Sequence, residues 1–126
     1  MRRFLILLLL APLPALAQAL SPMQREVWTY TDRFALQLKA LNPYTTAQRF
    51  IVRVQDVDGG EVSDVMISTP AFSLPPGEVG TFYVWGAASE RRRIVVCVSS
   101  QLFSDGAGAQ VKGEVCGKYD IAPIGR

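Results

Sequence analysis

The stretch FALQLKALNPYTTAQRFIVRVQDVDGG, residues 34–60, decides the fold class. From 34 to 40, Phe34, Leu36, Leu38 and Ala40 alternate with Ala35, Gln37 and Lys39. A repeat of two is the side-chain period of a strand with one buried and one wet face. Asn42-Pro43 stops this strand, because proline has no N–H to give to a ladder. A connection through Thr45 and Thr46 follows. Over residues 48–56, Phe50, Val52 and Val54 point one way, while Arg49, Arg53 and Gln55 share the other face with Ile51. Asp58-Gly59 is a hairpin turn signal, since these residues tolerate positive φ. The stretch reads as two strands joined by a tight polar connection, with a second turn at its end and later strands added to the pair.

The flanking chain continues in the same manner. Residues 18–24 form a short lead-in with Pro22, and REVWTY at 25–30 is a first strand. Residues 61–68 carry Val62, Val65, Met66 and Ile67 in imperfect alternation, the pattern of an edge or a bulge. Phe72 and Leu74 lie on one side before the turn Pro75-Pro76-Gly77. Residues 81–85 set Phe82 and Val84 opposite Tyr83 and Trp85; residues 91–100 form the longest strand, with Ile94, Val96 and Val98 on one face; residues 111–121 form the last. No segment has the i, i+3, i+4 apolar spacing of a helix over a useful length. Short strands punctuated by turn signals predict an all-β sandwich of about seven strands.

Residues 1–17 read as a secretory signal peptide: Arg2 and Arg3, an apolar run from Phe4, and the small-x-small pattern Ala15-Leu16-Ala17. A cut after Ala19 is the close alternative. A transmembrane anchor needs about 20 apolar residues, and Pro12 and Pro14 interrupt this run early. The expected product is residues 18–126, one domain with no stable membrane span, in the periplasm or secreted. Arg2 and Arg3 leave with the leader, so 11 of the 13 basic residues remain against 11 acidic ones. A balanced domain lacks the basic face that nucleic-acid binding generally requires.

A chain of about 110 residues buries roughly two-thirds of its unfolded surface and folds with little margin. An exported chain with an even cysteine count reads as disulfide-bonded. Cys97 has the opposite parity from Ile94, Val96 and Val98, and Cys116 shares parity with Lys112 and Glu114. Both cysteines thus fall on the polar faces of two hairpin-linked strands, which predicts a cross-strand disulfide at the C-terminal end. A metal or redox site is the competing reading, but two cysteines without histidine offer zinc too few ligands.

The chain has no histidine, which removes the usual general base and with it serine or cysteine triad chemistry. Carboxylate chemistry would have to use Asp56, Asp58, Glu61 and Asp64. These read first as turn and edge residues, since the terminal glutamate of a twelve-residue calcium loop is missing. No cofactor is expected. In the run at 91–93, Arg91 and Arg93 share a face, either as an anion contact or as a solvated strand start balanced by Glu90. Tyr83 and Trp85 are a contact patch if their face meets solvent, or are covered by a loop. Trp28 and Tyr30 share that ambiguity.

Leu41-Asn42-Pro43, the Thr-rich connection, the strand opening at Arg49-Phe50, and the series Ser68, Pro70, Phe72, Leu74, Pro76, Gly77 together resemble a known family. The likeness, over roughly residues 27–121, is to the N-terminal immunoglobulin-like domain of periplasmic pilus chaperones and to major-sperm-protein domains. It implies an immunoglobulin-like β-sandwich. It also implies a basic pair for a subunit's C-terminal carboxylate, for which Arg25 and Lys112 are broadly placed, and a donor row on the last strand, for which Val111, Val115 and Tyr119 stand, interrupted by Gly113 and Gly117. Two-domain chaperones continue where this sequence ends.

The expected function is a non-enzymatic binding or assembly accessory that meets another envelope or secreted protein. The sheet edges or the aromatic face, with Tyr83, Trp85, Arg91, Arg93, Arg25 and Lys112, are its candidate contacts. The alternatives are a structural component of an envelope or surface appendage, or a small secreted enzyme or inhibitor.

Overall fold

The computed structural model describes residues 19–103 and 110–124, with the backbone alone for 101–103 and 110–112. The leader reading at 1–17 lies outside the described residues. Nine strands follow in order: β1 (Ala19–Ser21), β2 (Gln24–Thr29), β3 (Arg33–Leu41), β4 (Gln48–Gln55), β5 (Val65–Ile67), β6 (Ala71–Leu74), β7 (Val79–Ala87), β8 (Arg92–Phe103) and β9 (Gln110–Pro123). They form two sheets in the orders β1-β3-β7-β5 and β2-β9-β8-β4-β6. The all-β, immunoglobulin-like sandwich read from the sequence is the observed architecture. Among the described residues no helix is long and apolar enough to cross a membrane.

Alternation along β3 is as read, with Phe34, Leu36, Leu38 and Ala40 buried and their neighbours exposed. The pairing is not. β3 pairs with β1 and β7, while β4 pairs with β6 and β8. The two strands of the opening stretch therefore face each other across the core, and the connection between them is a corner between sheets. The turn at Asp58-Gly59 forms, with Gly59 at φ 86 and Asp56 Oδ1 accepting from Asp58 N–H at 2.9 Å and Gly60 N–H at 2.8 Å. It does not open a hairpin: after one bridge, Gln55 to Glu61, the chain crosses to the other sheet. The strand read at 61–68 shrinks to Val65–Ile67.

The lead-in also needs correction. Ala19–Ser21 is a strand, antiparallel to β3. Pro22 ends that ladder, and β2 then runs parallel to β9 in the other sheet. The two strand pieces thereby stitch both sheets along one side. They are one reason for a count of nine against the expected seven; the short β6 is the other.

The core fills the space between the sheets. Phe72 links them, lying 5.7 Å from Phe50 of one sheet and 6.0 Å from Phe82 of the other, centroid to centroid. Phe50, Phe82, Leu38, Val84, Ile94, Val96 and Ile121 are wholly buried, each side chain contributing about 1.5–3 kcal/mol by leaving water.

Candidate functional site

β8 and β9 form a long hairpin whose register sets Cys97 directly opposite Cys116. The two sulfurs are bonded, with Cα atoms 4.0 Å apart. The bridge lies on the outer face of the sheet, as strand parity predicts. Cys97 is nonetheless buried there: Gln55 Nε2 donates to its sulfur at 3.4 Å, and an Arg53–Glu114 ion pair of 2.8 Å lies in the rows beside it.

β9 is flanked unequally. β8 accompanies it from Gln110 to Ile121, whereas β2 covers only Lys118 to Pro123. Among the described residues nothing pairs with β9 at 113–117 on the β2 side. The direction of its free groups follows from the ladder. Close Cα atoms mark Cys97 and Cys116 as a non-hydrogen-bonded pair, whose N–H and C=O point away from each other's strand. Lys118, two residues on, donates its N–H to Met23 O at 2.8 Å, on the β2 side. Cys116 and Glu114 have the same parity, so they turn their N–H and C=O groups to the open edge.

Tyr119 fixes where that edge begins. Its ring folds back over Gly117, where an added Cβ would collide with the phenol oxygen and meet Met23 O at 2.9 Å. Only glycine fits under it. The hydroxyl donates to Pro22 O, tying the sheet-switching corner to β9. Burial pushes the phenol up to about 12. Because this lies above the ordinary value near 10, the neutral phenol stabilises the fold fully below pH 10, and that contribution is lost as pH rises from 10 to 12. Tyr119→Phe is expected to cost about 1 kcal/mol at pH 8, the worth of one hydrogen bond. It should also flatten the alkaline loss of stability, read as urea midpoints at pH 8 and pH 11. Equal alkaline slopes in the two proteins would discard this account.

The other sequence candidates scatter. Arg25 is exposed on β2, in register with Tyr119. The Lys112 and Val111 side chains lie outside the described residues. In the donor row, Tyr119 is wholly buried and Val115 packs partly against the core.

Arginines 91–93 each have a neighbour. Arg91 sits 6.0 Å from the Trp28 ring centroid. Arg92 grips Asp64 with bonds of 2.6 and 3.1 Å, and Arg93 grips Asp120 with bonds of 2.7 and 3.2 Å. These hydrogen bonds hold Asp64 and Asp120 below the usual carboxylate range. The carboxylate cluster read from the sequence is dispersed: Asp56 caps a turn and Asp64 clasps the strand start at Arg92. Tyr83, 48% exposed, and the half-buried Trp85 lie on the far sheet, away from β9. The sequence pointed to the last strand and to sheet edges, but carried no local mark of the uncovered run at 113–117.

The sequence matches no protein-family model and no curated protein. Solved structures do match. The E. coli chaperone DraB aligns with a TM-score of 0.70 at 14% identity, over 86% of this chain and 55% of that chain. A chain of the Salmonella enterica complex of SafA pilin with the SafB chaperone gives 0.72 at 14% identity, with the same coverage of 86% and 55%. The fold is that of the pilus chaperones. A PapD-like domain of human CEP192 gives 0.61 at 11% identity, over 92% of this chain and 93% of that domain. The chain thus spans about half the length of the chaperone chains, 55% in each of these two, and nearly all of the isolated domain. The resemblance read at residues 27–121 is borne out at the level of fold.

Proposed function

We propose that the chain is an exported, non-enzymatic assembly accessory that adds a strand of a partner protein to the open edge of β9. The observation that carries this reading is the run at 113–117, which no strand among the described residues covers on the β2 side and where Glu114 and Cys116 offer their backbone N–H and C=O groups to a newcomer. Edge addition supplies affinity through main-chain hydrogen bonds, with side-chain contacts on alternate residues for selectivity. The fold likeness supports it: the matched structures include a chaperone with its pilin and a chaperone–tip adhesion subunit pre-assembly complex. By the same reading the partner is an envelope-assembly protein, and the compartment is the periplasm, reached through the leader at 1–17. Arg25 and Lys112 are the proposed contacts for a carboxylate at the partner's end.

Proline tests the edge directly. At Glu114 the N–H faces away from β8, so Glu114→Pro removes an outward donor and leaves the β8 ladder in place, the position at which strands tolerate proline. It also removes the exposed Arg53 pair, worth at most about 1 kcal/mol; Glu114→Gln is the control for that loss. Crosslinking of the tagged mature protein in cells is expected to capture one abundant envelope protein, with Glu114→Gln retaining the capture and Glu114→Pro abolishing it. A clean monomer with no captured protein, or equal capture by Glu114→Pro, overturns the reading.

A further inference from the structure

The outer face of the β1-β3-β7-β5 sheet differs in chemistry from that of its partner sheet. Its four strands contain no aspartate or glutamate, and two cations, Arg33 and Lys39, project from β3. Neither cation has an ion pair among the described residues. On the other sheet, Arg53, Arg92 and Arg93 are matched by carboxylates, and the strands that carry the unpaired Arg25 and Lys118 also carry Glu26, Glu114 and Asp120. The domain as a whole is balanced, so this positive character is local.

Between the two cations the face is apolar and open. Register places Ala35, Trp85 and Met66 in one row and Gln37 beside Tyr83 in the next. Met66 is 55% exposed and Tyr83 48%. Solvated faces do not ordinarily carry a tryptophan, a tyrosine and a methionine side by side, and these residue types are enriched where proteins touch. Arg33 and Lys39 stand six residues apart on one strand, roughly 20 Å, which is the reach of a short extended segment.

The geometry points to a second binding surface: we infer that this face takes an acidic polypeptide segment, which sets an aromatic or aliphatic side chain against Tyr83, Trp85 and Met66 and carboxylates on Arg33 and Lys39. Charge complementarity selects this occupant, since the face offers two unpaired cations and planar apolar surface, and of the two acids that border it at the Arg33 end, Asp32 and Asp64, the second is already neutralised by Arg92. The surface lies on the sheet opposite β9, so it stands independently of strand addition.

The chain has two tryptophans, and Trp28 is exposed; Trp28→Phe therefore leaves Trp85 as a single reporter. A random glutamate–tyrosine copolymer is the probe, titrated into the mature Trp28→Phe protein while Trp85 emission is followed. Saturable binding that weakens with salt is expected. Lys39→Glu and Tyr83→Ala, both at exposed positions, should each weaken it about fivefold to tenfold, and Glu114→Pro should bind as well as its parent. Circular dichroism melts confirm that the variants are folded; if Tyr83→Ala is not, Lys39→Glu alone decides. Three results overturn the inference: binding unchanged by Lys39→Glu, no binding of the copolymer, or preferential binding of dextran sulfate or anionic phosphatidylglycerol vesicles.

Discussion

Replacing both cysteines with alanine is expected to lower stability by about 3 kcal/mol, the loop-closure value for a bridge of this span. Cys97 and Cys116 are 19 residues apart in sequence, and the bond between them denies the unfolded chain the conformations in which β8 and β9 part. For a domain of this size, that loss corresponds to a fall of roughly 10–20 °C in melting temperature. Reduction of the wild-type protein should give a similar fall. Cys97→Ser should also give a similar fall, because it opens the same bond and the Gln55 amide that donates to the sulfur can donate to the hydroxyl instead. The damage should also be uneven. Among the described residues β9 is held from one side only at 113–117, whereas Lys118 to Ile121 is held by both β8 and β2. Amide exchange in the variant should therefore accelerate first at 113–117. If the double alanine variant melts within about 2 °C of wild type, less than the shift for 1 kcal/mol, the bridge adds nothing to the fold.

The faces of the strands were legible because period two is written in each strand alone. Phe34, Leu36 and Leu38, and likewise Ile94, Val96 and Val98, bury as their alternation requires, and the parity of Cys97 and Cys116 placed the disulfide. Neighbours were not legible, because a hairpin and a corner between sheets have the same short polar connection. Asn42-Pro43 and Asp58-Gly59 were both read as turns within a strand pair, and both send the chain to the opposite sheet. Long-range partners were hidden for a similar reason. The run at 91–93 reads as a block of charge, yet Arg92 meets Asp64 and Arg93 meets Asp120, and no local pattern announces those distances in sequence. The open edge of β9 depends on where β2 begins, at Gln24 opposite Lys118, and β2 reaches β9 by a parallel pairing of the first part of the fold with the last.

Asn42, which stops the opening strand, is the residue whose replacement should cost most. It is wholly buried and joins three segments. Its N–H donates to Glu78 O at 3.0 Å, and its C=O accepts from Gly77 N–H at 2.9 Å. Its side-chain Nδ2 donates to Leu74 O at 2.9 Å, Thr46 O at 3.0 Å and Pro75 O at 3.2 Å, while Oδ1 accepts from Tyr44 N–H at 3.0 Å. The amide therefore satisfies carbonyls at the end of β6 and in the following turn, and it positions the chain that crosses between sheets. Asn42→Ala leaves several of these groups unpaired and should cost about 3 kcal/mol. Asn42→Asp should be worse at pH 7, by about 4 kcal/mol relative to wild type, because a buried carboxylate would face three carbonyl oxygens with no proton to give. The two variants separate by pH. The carbonyls favour the protonated acid, so the folded-state value of the new aspartate is raised. Its penalty is then full at neutral pH and shrinks as pH falls towards the unfolded value near 4. Urea midpoints at pH 7 and pH 4 should show the deficit of Asn42→Asp narrowing while that of Asn42→Ala stays constant. Parallel deficits at both pH values would mean that the site is governed by volume alone, and that the amide's three donor contacts do not hold this corner.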